Sequence, residues 1–306
     1  MTPFRTSSQA LQAEYNAIYL TVDVEEYYHA EAFSGIIGRA EQKKYPRHVE
    51  RNTMELIQMF DDCKVHGTFF FLGIVAKKYR GLVRAILESG HEVASHGNEH
   101  RMITKMSCTE FREDVRRSKQ ILEDISGAAV LGYRAPTFSI LERTEWAYEI
   151  LLNEGFRYSS SVYPIRHDRY GWPEFGILPR EMAVSGDRYI WEIPLSVERV
   201  GGINVPFGGG GYLRLYPLFL TKYLFRRLLQ SGRPAVIYVH PWEIDRQHPR
   251  IAMPLLKRIR HYVGISGTEE KMRVLFRSYP FGRMDQFLQS AQAVSHLGPK
   301  HKSVGC

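Results

Sequence analysis

The sequence has few cysteines, no long apolar run and no dense run of one charge, and each absence excludes a class of protein. Cys63, Cys108 and Cys306 are an odd number at wide spacings, which favours free thiols in a reducing compartment over a disulfide framework. No window of 18 apolar residues could span a bilayer, so no transmembrane segment is predicted. The largely polar stretch 1–16 does not have the pattern of a signal peptide. We therefore expect a cytoplasmic protein.

Basic residues outnumber acidic ones without forming a tract. Lys and Arg total 41 against 33 Asp and Glu, a formal net charge of +8. Because the cations are spread along the chain, they do not indicate nucleic-acid binding. They indicate a mild preference for anionic surroundings, and lipid headgroups, a phosphorylated lipid carrier and an acidic glycan all stay open as partners. The sequence does not predict an oligomeric state.

What the chain does contain is an alternation of short β-rich runs with helical patterns. Strands are predicted at 17–22, 67–72, 91–95, 130–133, 156–160, 191–194 and 235–239, most of them rich in β-branched or aromatic residues. Helices are predicted between them at 48–61, 75–89, 109–126 and 142–153 from apolar residues spaced near i, i+3 and i+4. This alternation indicates an α/β fold with a parallel sheet.

The order of these patterns also predicts how the chain is organised. One domain covers residues 17–245 and includes a Gly- and Pro-rich insertion near 164–217. Helices predicted at 253–262, 269–277 and 283–291 form a C-terminal helical extension over 246–297, packed on the outside of that domain. The ends of the chain, 1–16 and 298–306, are predicted to be flexible.

Chemically capable side chains fall at the ends of separate predicted strands. Four of them stand there: Asp23, His96, Arg134 and His240. In a (β/α) barrel the carboxyl ends of the parallel strands open at one mouth, where catalytic groups collect. The pattern therefore predicts an active site at that mouth.

Two histidines and two carboxylates at or near these strand ends suggest a metal site. His96 and His100 are four residues apart and could present two imidazoles to one ion. Among 12 histidines such a pair is weak by itself, but its position after a strand strengthens it. Side chains alternate along a strand, so Asp23 and Glu25 point the same way. The alternative interpretation of these carboxylates is a solvated acidic turn.

Five segments occur along the chain in this order: Leu20–Asp23 (LTVD), Thr68–Phe70 (TFF), Gly90–His96 (GHEVASH), Gly132–Pro136 (GYRAP) and Tyr238–Glu243 (YVHPWE). Together they resemble the polysaccharide deacetylase (NodB-homology) family, carbohydrate esterase family 4. The resemblance runs from about residue 18 to 245 and implies a distorted (β/α) barrel of about seven strands. The continuation to Asp245 and the C-terminal extension resemble the branch associated with bacterial exosortase and exopolysaccharide loci.

The resemblance implies that His96 and His100 bind Zn²⁺ or another divalent metal ion. Most members of the family carry adjacent aspartates in the first motif, whereas this chain has Val24 in the second place. Since valine cannot bind a metal, we assign the third ligand to Glu25. Glutamate is longer than aspartate, so the sequence leaves open whether Glu25 or Asp23 completes the site.

The resemblance also implies roles in removing an N-acetyl group from a sugar. Asp23 would be the general base, Arg134 would orient its carboxylate, and His240 would protonate the departing amine. The backbone N–H of Thr137 would hold the oxyanion. Trp242, two residues from His240, is predicted to line the substrate pocket.

A second departure from the family concerns the group that supports His240. Relatives tend to carry an aspartate where this chain has Ser159, and serine has no charge. The support of the histidine pKa would then fall to another group, such as Glu192, or be weaker.

Three hypotheses follow for function. The first is metal-dependent hydrolysis of N-acetyl groups on an amino-sugar-containing polysaccharide or its lipid-linked precursor. The second is an amidase acting on a non-sugar amide at the same site, because a fold does not fix a substrate. The third is a catalytically inactive sugar-binding protein, suggested by Val24 and Ser159.

One further stretch bears on location. Leu218–Gln230 is amphipathic and carries Lys222, Arg226 and Arg227, so it could touch a membrane surface weakly. The stronger interpretation is a barrel helix with its apolar face toward the core and its charged face toward water.

Overall fold

The structure, a computed structural model, describes residues 18–295 except 168, 186 and 187. The segments predicted to be flexible, 1–16 and 298–306, lie outside the described residues. The strands are β1 Ile18–Val24, β2 Thr68–Phe71, β3 Glu92–Ser95, β4 Gly132–Tyr133, β5 Tyr158–Ser159, β6 Arg180–Ser185, β7 Arg188–Glu192, β8 Val197–Val200, β9 Ile203–Pro206, β10 Ala235–Val239 and β11 Phe281–Gly282.

Helices alternate with these strands through most of the chain. They are α1 Val49–Cys63, α2 Gly73–Lys78, α3 Arg80–Glu88, α4 Cys108–Ser126, α5 Ala147–Asn153, α6 Gly210–Leu215, α7 Leu218–Gln230, α8 Leu255–Tyr262, α9 Ile265–Ser278 and α10 Asp285–Ser295. Short 3₁₀ turns lie at Tyr27–His29, Glu31–Phe33, Arg39–Lys44, Ile103–Lys105, Pro136–Phe138, Glu142–Thr144, Pro173–Phe175 and Pro241–Ile244.

The predicted α/β fold with a parallel sheet is confirmed. The strand order is β10-β1-β2-β3-β4-β5-β7-β6, with β11 beside β1. Within this sheet the pairing is parallel from β10 to β7, and β6 runs antiparallel to β7. Every residue of β1 is buried, as expected for a strand whose two faces are both covered.

The barrel is distorted because, among the described residues, a segment outside the nine-stranded sheet, and not direct strand pairing, spans the gap to β10. After β7, Ile193 donates a backbone hydrogen bond to Ser159 at 2.8 Å, and Ser196 donates one to Val236 of β10 at 3.4 Å. Further along, the backbone of Tyr238 donates to Gly208 at 2.8 Å. Residues 193–209 therefore bridge the space between the end of β5 and β10.

Several predicted elements differ from the structure for local reasons. The helix predicted at 75–89 is two helices, because Tyr79 adopts a non-helical backbone (φ −117°, ψ 59°) between α2 and α3. The Gly- and Pro-rich region also contains β6, β8 and β9, which were not predicted. β8 and β9 form a separate two-stranded antiparallel sheet, and such edge pairs carry little hydrophobic pattern.

Helix α4 shows how local sequence sets an element's bounds. Ser107 accepts a hydrogen bond from the backbone of Glu110, and Glu110 in turn accepts one from the backbone of Ser107, which forms a capping box. The helix ends at Gly127, whose φ of 67° is left-handed. Between these limits Phe111, Val115 and other apolar residues face the core.

The segment after residue 245 packs on the rest of the molecule. β11 pairs with β1 through Ile18 and Phe281, and Phe276 of α9 meets Phe60 of α1 edge to face with centroids 5.2 Å apart. Phe276 and Met272 belong to the main hydrophobic core. Among the described helices, none combines the length and the apolar character that crossing a bilayer requires.

The close approach of residue 209 to β10 can be tested with a stability measurement. A Cβ at Gly209 would lie 2.0 Å from the backbone oxygen of Tyr238, so Gly209→Ala is expected to lower the free energy of unfolding by about 2–3 kcal/mol. Gly267 lies in α9 with no atom within 4 Å of an added Cβ. Gly267→Ala should therefore raise stability by about 0.5–1 kcal/mol. Equal effects of the two changes in denaturant unfolding would contradict the packing described here.

Candidate active site

His96 is held by the strands on both sides of it. It follows β3 directly, its backbone N–H donates to Phe71 of β2 at 2.7 Å, and its ring Nδ1 lies 2.9 Å from the backbone oxygen of Arg134. Because a carbonyl only accepts, Nδ1 carries the hydrogen and the lone pair remains on Nε2. Burial lowers the pKa of His96 to about 4, so the ring is neutral at pH 7, as a metal ligand must be.

Glu25 and His100 complete a group around His96 that could hold a metal ion. Glu25 Oε2 lies 2.7 Å from His100 Nε2 and 3.9 Å from His96 Nε2, and the three ligand atoms lie within 4.8 Å of one another. That buried oxygen nevertheless accepts no hydrogen bond from a described residue. Two imidazole nitrogens and a carboxylate oxygen are the ligands that a divalent ion such as Zn²⁺ takes in proteins.

Backbone geometry directs these ligands to one point. His100 has a left-handed φ of 56°, a conformation that costs free energy and is common at functional sites. Val24 packs in the hydrophobic core, whereas Asp23 and Glu25 line the same cavity. Burial opposes ionisation of Glu25, but His100 and the neighbouring histidines outweigh it and hold the pKa of this carboxyl well below its ordinary value.

Asp23 is held by Arg134 and lies next to the ligand group. The guanidinium of Arg134, fully buried, donates to Asp23 Oδ1 and to Thr21 Oγ1, both at 2.7 Å. It also donates to the backbone oxygen of Ser160 at 3.0 Å and lies over the ring of Phe70 at 4.2 Å. Asp23 therefore has one oxygen bound by the cation and the other facing His240, 4.0 Å away.

His240 stands opposite the ligand group with a carboxylate behind it. Its Nε2 lies 3.8 Å from Glu25 Oε1, and its Nδ1 lies 3.7 Å from Glu243 Oε1. Glu243 also accepts from the backbone of His240 at 3.1 Å. A buried ion pair with Arg214, 3.0 Å from nitrogen to oxygen, holds the Glu243 carboxylate.

The charges around His240 act on its pKa in opposite directions. Burial lowers the pKa, but Glu243, Glu25 and Asp23 favour the protonated ring and leave the pKa above its ordinary value. Burial likewise opposes ionisation of Glu243, and His240 with Arg214 outweighs it, so the pKa of this carboxyl is lowered. The pair therefore favours an imidazolium beside a carboxylate.

Glu192, which the sequence suggested as the support of His240, is used elsewhere. One of its oxygens accepts from the backbone of Ser161 at 2.7 Å and of Val162 at 2.9 Å, and the other accepts from Tyr148 at 3.1 Å. Glu192 thus holds the turn after β5, and the expectation that it might support His240 is wrong. Glu243 occupies that position.

Thr137 and Trp242 also face the cavity. Thr137 has a left-handed φ of 55° after Pro136, which turns the chain sharply at the end of β4. The indole of Trp242 is stacked on His240, with centroids 5.1 Å apart and planes at 20°, and it is buried. Trp242 therefore fixes the plane of the imidazole.

A cavity of about 580 Å³ brings the predicted site residues together. Its lining includes Asp23, Glu25, His96, His100, Thr137, His240 and Trp242. Arg134, behind Asp23, does not reach the cavity surface. The residues predicted from the strand ends and from the family resemblance thus lie in or directly behind one cavity.

His29, Arg214 and Glu243 also line this cavity, and the sequence analysis assigned no role to them. His29 lies four residues after Glu25, stacks on His100 with centroids 5.3 Å apart and leaves its Nδ1 without a hydrogen bond from a described residue. Burial lowers the pKa of His29 to about 3. The i+3 spacing of Glu243 from His240 is a sequence pattern that could have indicated its place in the site. No sequence pattern indicated Arg214.

The chain is similar to known proteins over parts of its length. A family model described as polysaccharide deacetylase matches residues 15–153, and one described as a domain of unknown function, DUF3473, matches residues 160–289. The chain is 28% identical over 107 residues to a peptidoglycan deacetylase of Helicobacter pylori, covering 35% of this chain and 36% of that protein. It is 31% identical over 98 residues to a peptidoglycan-N-acetylglucosamine deacetylase of Bacillus cereus, covering 32% and 36%.

The chain thus aligns with about a third of the length of these curated relatives. A solved structure described as a probable polysaccharide deacetylase of Pseudomonas aeruginosa superposes with a TM-score of 0.59 at 17% identity, covering 92% of each chain. Fold and site together describe an α/β protein in which two histidines and a carboxylate that could hold a metal ion lie near the strand ends. Residues 15–153, somewhat less than half of the chain, match the polysaccharide deacetylase family.

The geometry predicts which carboxylate the metal needs. Glu25→Gln should weaken binding of Zn²⁺ by at least about 100-fold, because it removes a ligand charge rather than an outer partner. Asp23→Asn, a matched change two residues away, should keep the affinity within a few-fold. Calorimetric titration of both variants with Zn²⁺ checks this, with circular dichroism confirming that each is folded. Loss of binding in Asp23→Asn with retention in Glu25→Gln would reverse the assignment.

Proposed function

We propose that this protein hydrolyses N-acetyl groups on an amino-sugar-containing polysaccharide or its lipid-linked precursor and releases acetate. The observation that supports this most directly is the convergence, in one cavity, of the Glu25–His96–His100 group with Asp23 and His240. The relatives named as peptidoglycan deacetylases support the substrate class, an N-acetylated glycan. Within this class of N-acetylated glycans, we propose an exopolysaccharide as the substrate.

The ligand group fits a divalent ion, and we propose Zn²⁺ or a similar metal. When bound, such an ion supplies Lewis acidity that activates water and polarises an amide carbonyl. Glu25 is ionised and His96 is neutral, the protonation states that ligands require. Glu25 Oε2 is buried and accepts no hydrogen bond from a described residue. A metal ion bound by this group would give that oxygen a partner.

The chain's own residues carry the proton transfers. Asp23 takes a proton from the attacking water, and Arg134 on its other oxygen keeps that carboxylate aimed at the cavity. The backbone N–H of Thr137 holds the developing oxyanion. His240 then donates its Nε2 proton to the sugar nitrogen as the carbon–nitrogen bond breaks, which leaves a free amine and acetate.

Glu243 and Trp242 act on His240 without touching the substrate nitrogen. The indole fixes the ring plane, and the carboxylate on the Nδ1 side keeps the imidazole protonated. In this chain, Glu243 and Trp242 thus take the role of holding and charging His240. The family resemblance assigns that role in relatives to an aspartate at the position of Ser159.

We further propose that the protein works in the cytoplasm. The described cysteines, Cys63 and Cys108, are free thiols, as expected in a reducing compartment.

Acetate release tests the proposed reaction. The purified chain with added Zn²⁺ should release acetate from N-acetylated glucosamine oligosaccharides or peptidoglycan fragments, and Asp23→Asn should reduce kcat by about 10²–10⁴-fold while the metal is retained. Activity confined to small amides or ureides would favour the non-sugar amidase. Glycan binding indifferent to metal, with no acetate released, would favour a sugar-binding protein.

The pH profile tests the role of Glu243. Its charge raises the pKa of His240, so the proton donor stays charged to higher pH. Glu243→Gln should therefore move the basic limb of kcat/KM to lower pH. Glu192→Gln, which changes a buried carboxylate that supports the turn after β5, is the matched control and should leave that limb in place. An unmoved limb in Glu243→Gln would remove Glu243 from the mechanism.

A further inference from the structure

Negative charge is missing from two segments of the chain that supply part of the cavity lining. Residues 199–242 contain six Lys and Arg and no Asp or Glu, and residues 246–268 contain five and none. Helices α6, α7 and α8 all lie in these two segments. With 33 acidic residues in the chain as a whole, this segregation sets one region apart electrostatically.

The same helices expose large apolar side chains. Phe219 of α7 is 76% exposed, and the other large apolar side chains of the region keep more than half of their surface exposed. We define the mouth face by these side chains: Leu215, Phe219, Tyr223, Leu255, Leu256 and Ile259. An exposed set of this kind marks an interaction surface.

The mouth face is continuous with the cavity. Leu215, at the end of α6, and Ile259 of α8 both line the cavity, and Phe219 follows Leu215 by four residues. The guanidinium of Arg214 donates to the backbone oxygen of His261, which ties α6 to α8. The apolar side chains therefore border the opening through which a substrate enters.

The cations of these helices are available to a partner. Among the described residues no carboxylate pairs with Lys222, Arg226 or Arg258, whereas Arg227 is held by Glu198 at 2.7 Å. Lys257 lines the cavity and donates to the backbone oxygen of Ser34 at 3.0 Å. The face thus combines protruding apolar side chains with unpaired positive charge, the pattern of helices that lie in a membrane interface.

We propose that the mouth face docks on the surface of an anionic lipid bilayer, with Phe219, Leu256 and their neighbours entering the headgroup region. An acidic glycan would satisfy the cations but would leave protruding aliphatic side chains in water. A second copy of the chain, paired through the same face about a two-fold axis, would bring like charges together. An anionic bilayer accounts for both the cations and the apolar side chains of the mouth face. Its headgroups pair with the cations, and the boundary of its acyl region buries the apolar side chains.

Docking in this way places the opening of the cavity at the bilayer. If the proposed function holds, the orientation favours a glycan attached to a lipid carrier over a free polysaccharide. Docking itself does not depend on the reaction, so the two ideas can fail separately.

Sedimentation with vesicles tests the proposal on the full chain. Vesicles of phosphatidylglycerol and phosphatidylcholine should bind the protein, vesicles of phosphatidylcholine alone should bind it far more weakly, and raising the salt should release it. Phe219→Ser with Leu256→Ser should weaken binding by at least about tenfold. Lys222→Gln with Arg226→Gln and Arg258→Gln should weaken it by about a hundredfold, since three charges are lost.

The matched control changes exposed apolar residues outside the mouth face. Met54 and Leu178 are 44% and 50% exposed, and Met54→Ser with Leu178→Ser should bind vesicles like the unchanged protein. Absence of binding to anionic vesicles, or equal loss in the control, overturns the proposal. Two further results overturn it. One is binding to a soluble acidic polysaccharide without binding to vesicles, and the other is a dimer of the unchanged protein that is lost only in the Phe219→Ser, Leu256→Ser variant. Acetate release measured on a soluble glycan reports separately on the proposed reaction.

Discussion

The guanidinium of Arg134, buried without contact with water, is the constraint on which the site depends. It leaves the end of β4, donates to Thr21 and Asp23 of β1, and donates to Ser160 after β5. A buried charge is tolerable only while its hydrogen bonds are satisfied, and removing a partner from such a pair costs about 3–5 kcal/mol. The ends of these strands are therefore tied together by the same contacts that orient the Asp23 carboxylate. The backbone oxygen of Arg134 also accepts from His96, so one residue positions both a carboxylate and an imidazole of the candidate metal site.

Around that residue, the two halves of the site are built by different means. The ligand half relies on backbone geometry, with His96 set by strand pairing and His100 by a left-handed turn. The His240 half relies on side-chain electrostatics, because Glu243 and the buried Arg214 form a chain of charge behind the imidazole. A serine at position 159 is compatible with this arrangement, since the carboxylate comes from the turn directly after His240.

The distribution of charge separates the inside of the cavity from its surroundings. Carboxylates lie at the bottom, where histidines and buried arginines neutralise them. The helices at the opening carry cations and exposed apolar side chains without any carboxylate. In helix α7, Leu224, Phe225 and Leu228 face the core, as the interpretation of this segment as a barrel helix expects, while Phe219 and Tyr223 are exposed.

Local sequence determined the parallel α/β framework and the secure members of the site. Strands with buried runs and helices with regular apolar spacing show in the chain itself, and parallel strands necessarily open at one edge, so Asp23, His96, Arg134 and His240 could be placed together in advance. β8 and β9 could not, because short edge strands carry little pattern. The sequence assigned Glu25 to the metal ligands, and the tertiary structure groups it with the two histidines. Tertiary structure alone decided that Glu192 holds a turn and that Arg214 supports Glu243. The physical reason is that a side chain's partner depends on which buried groups lie within a few ångströms of it, and for residues far apart in the chain only packing sets that distance.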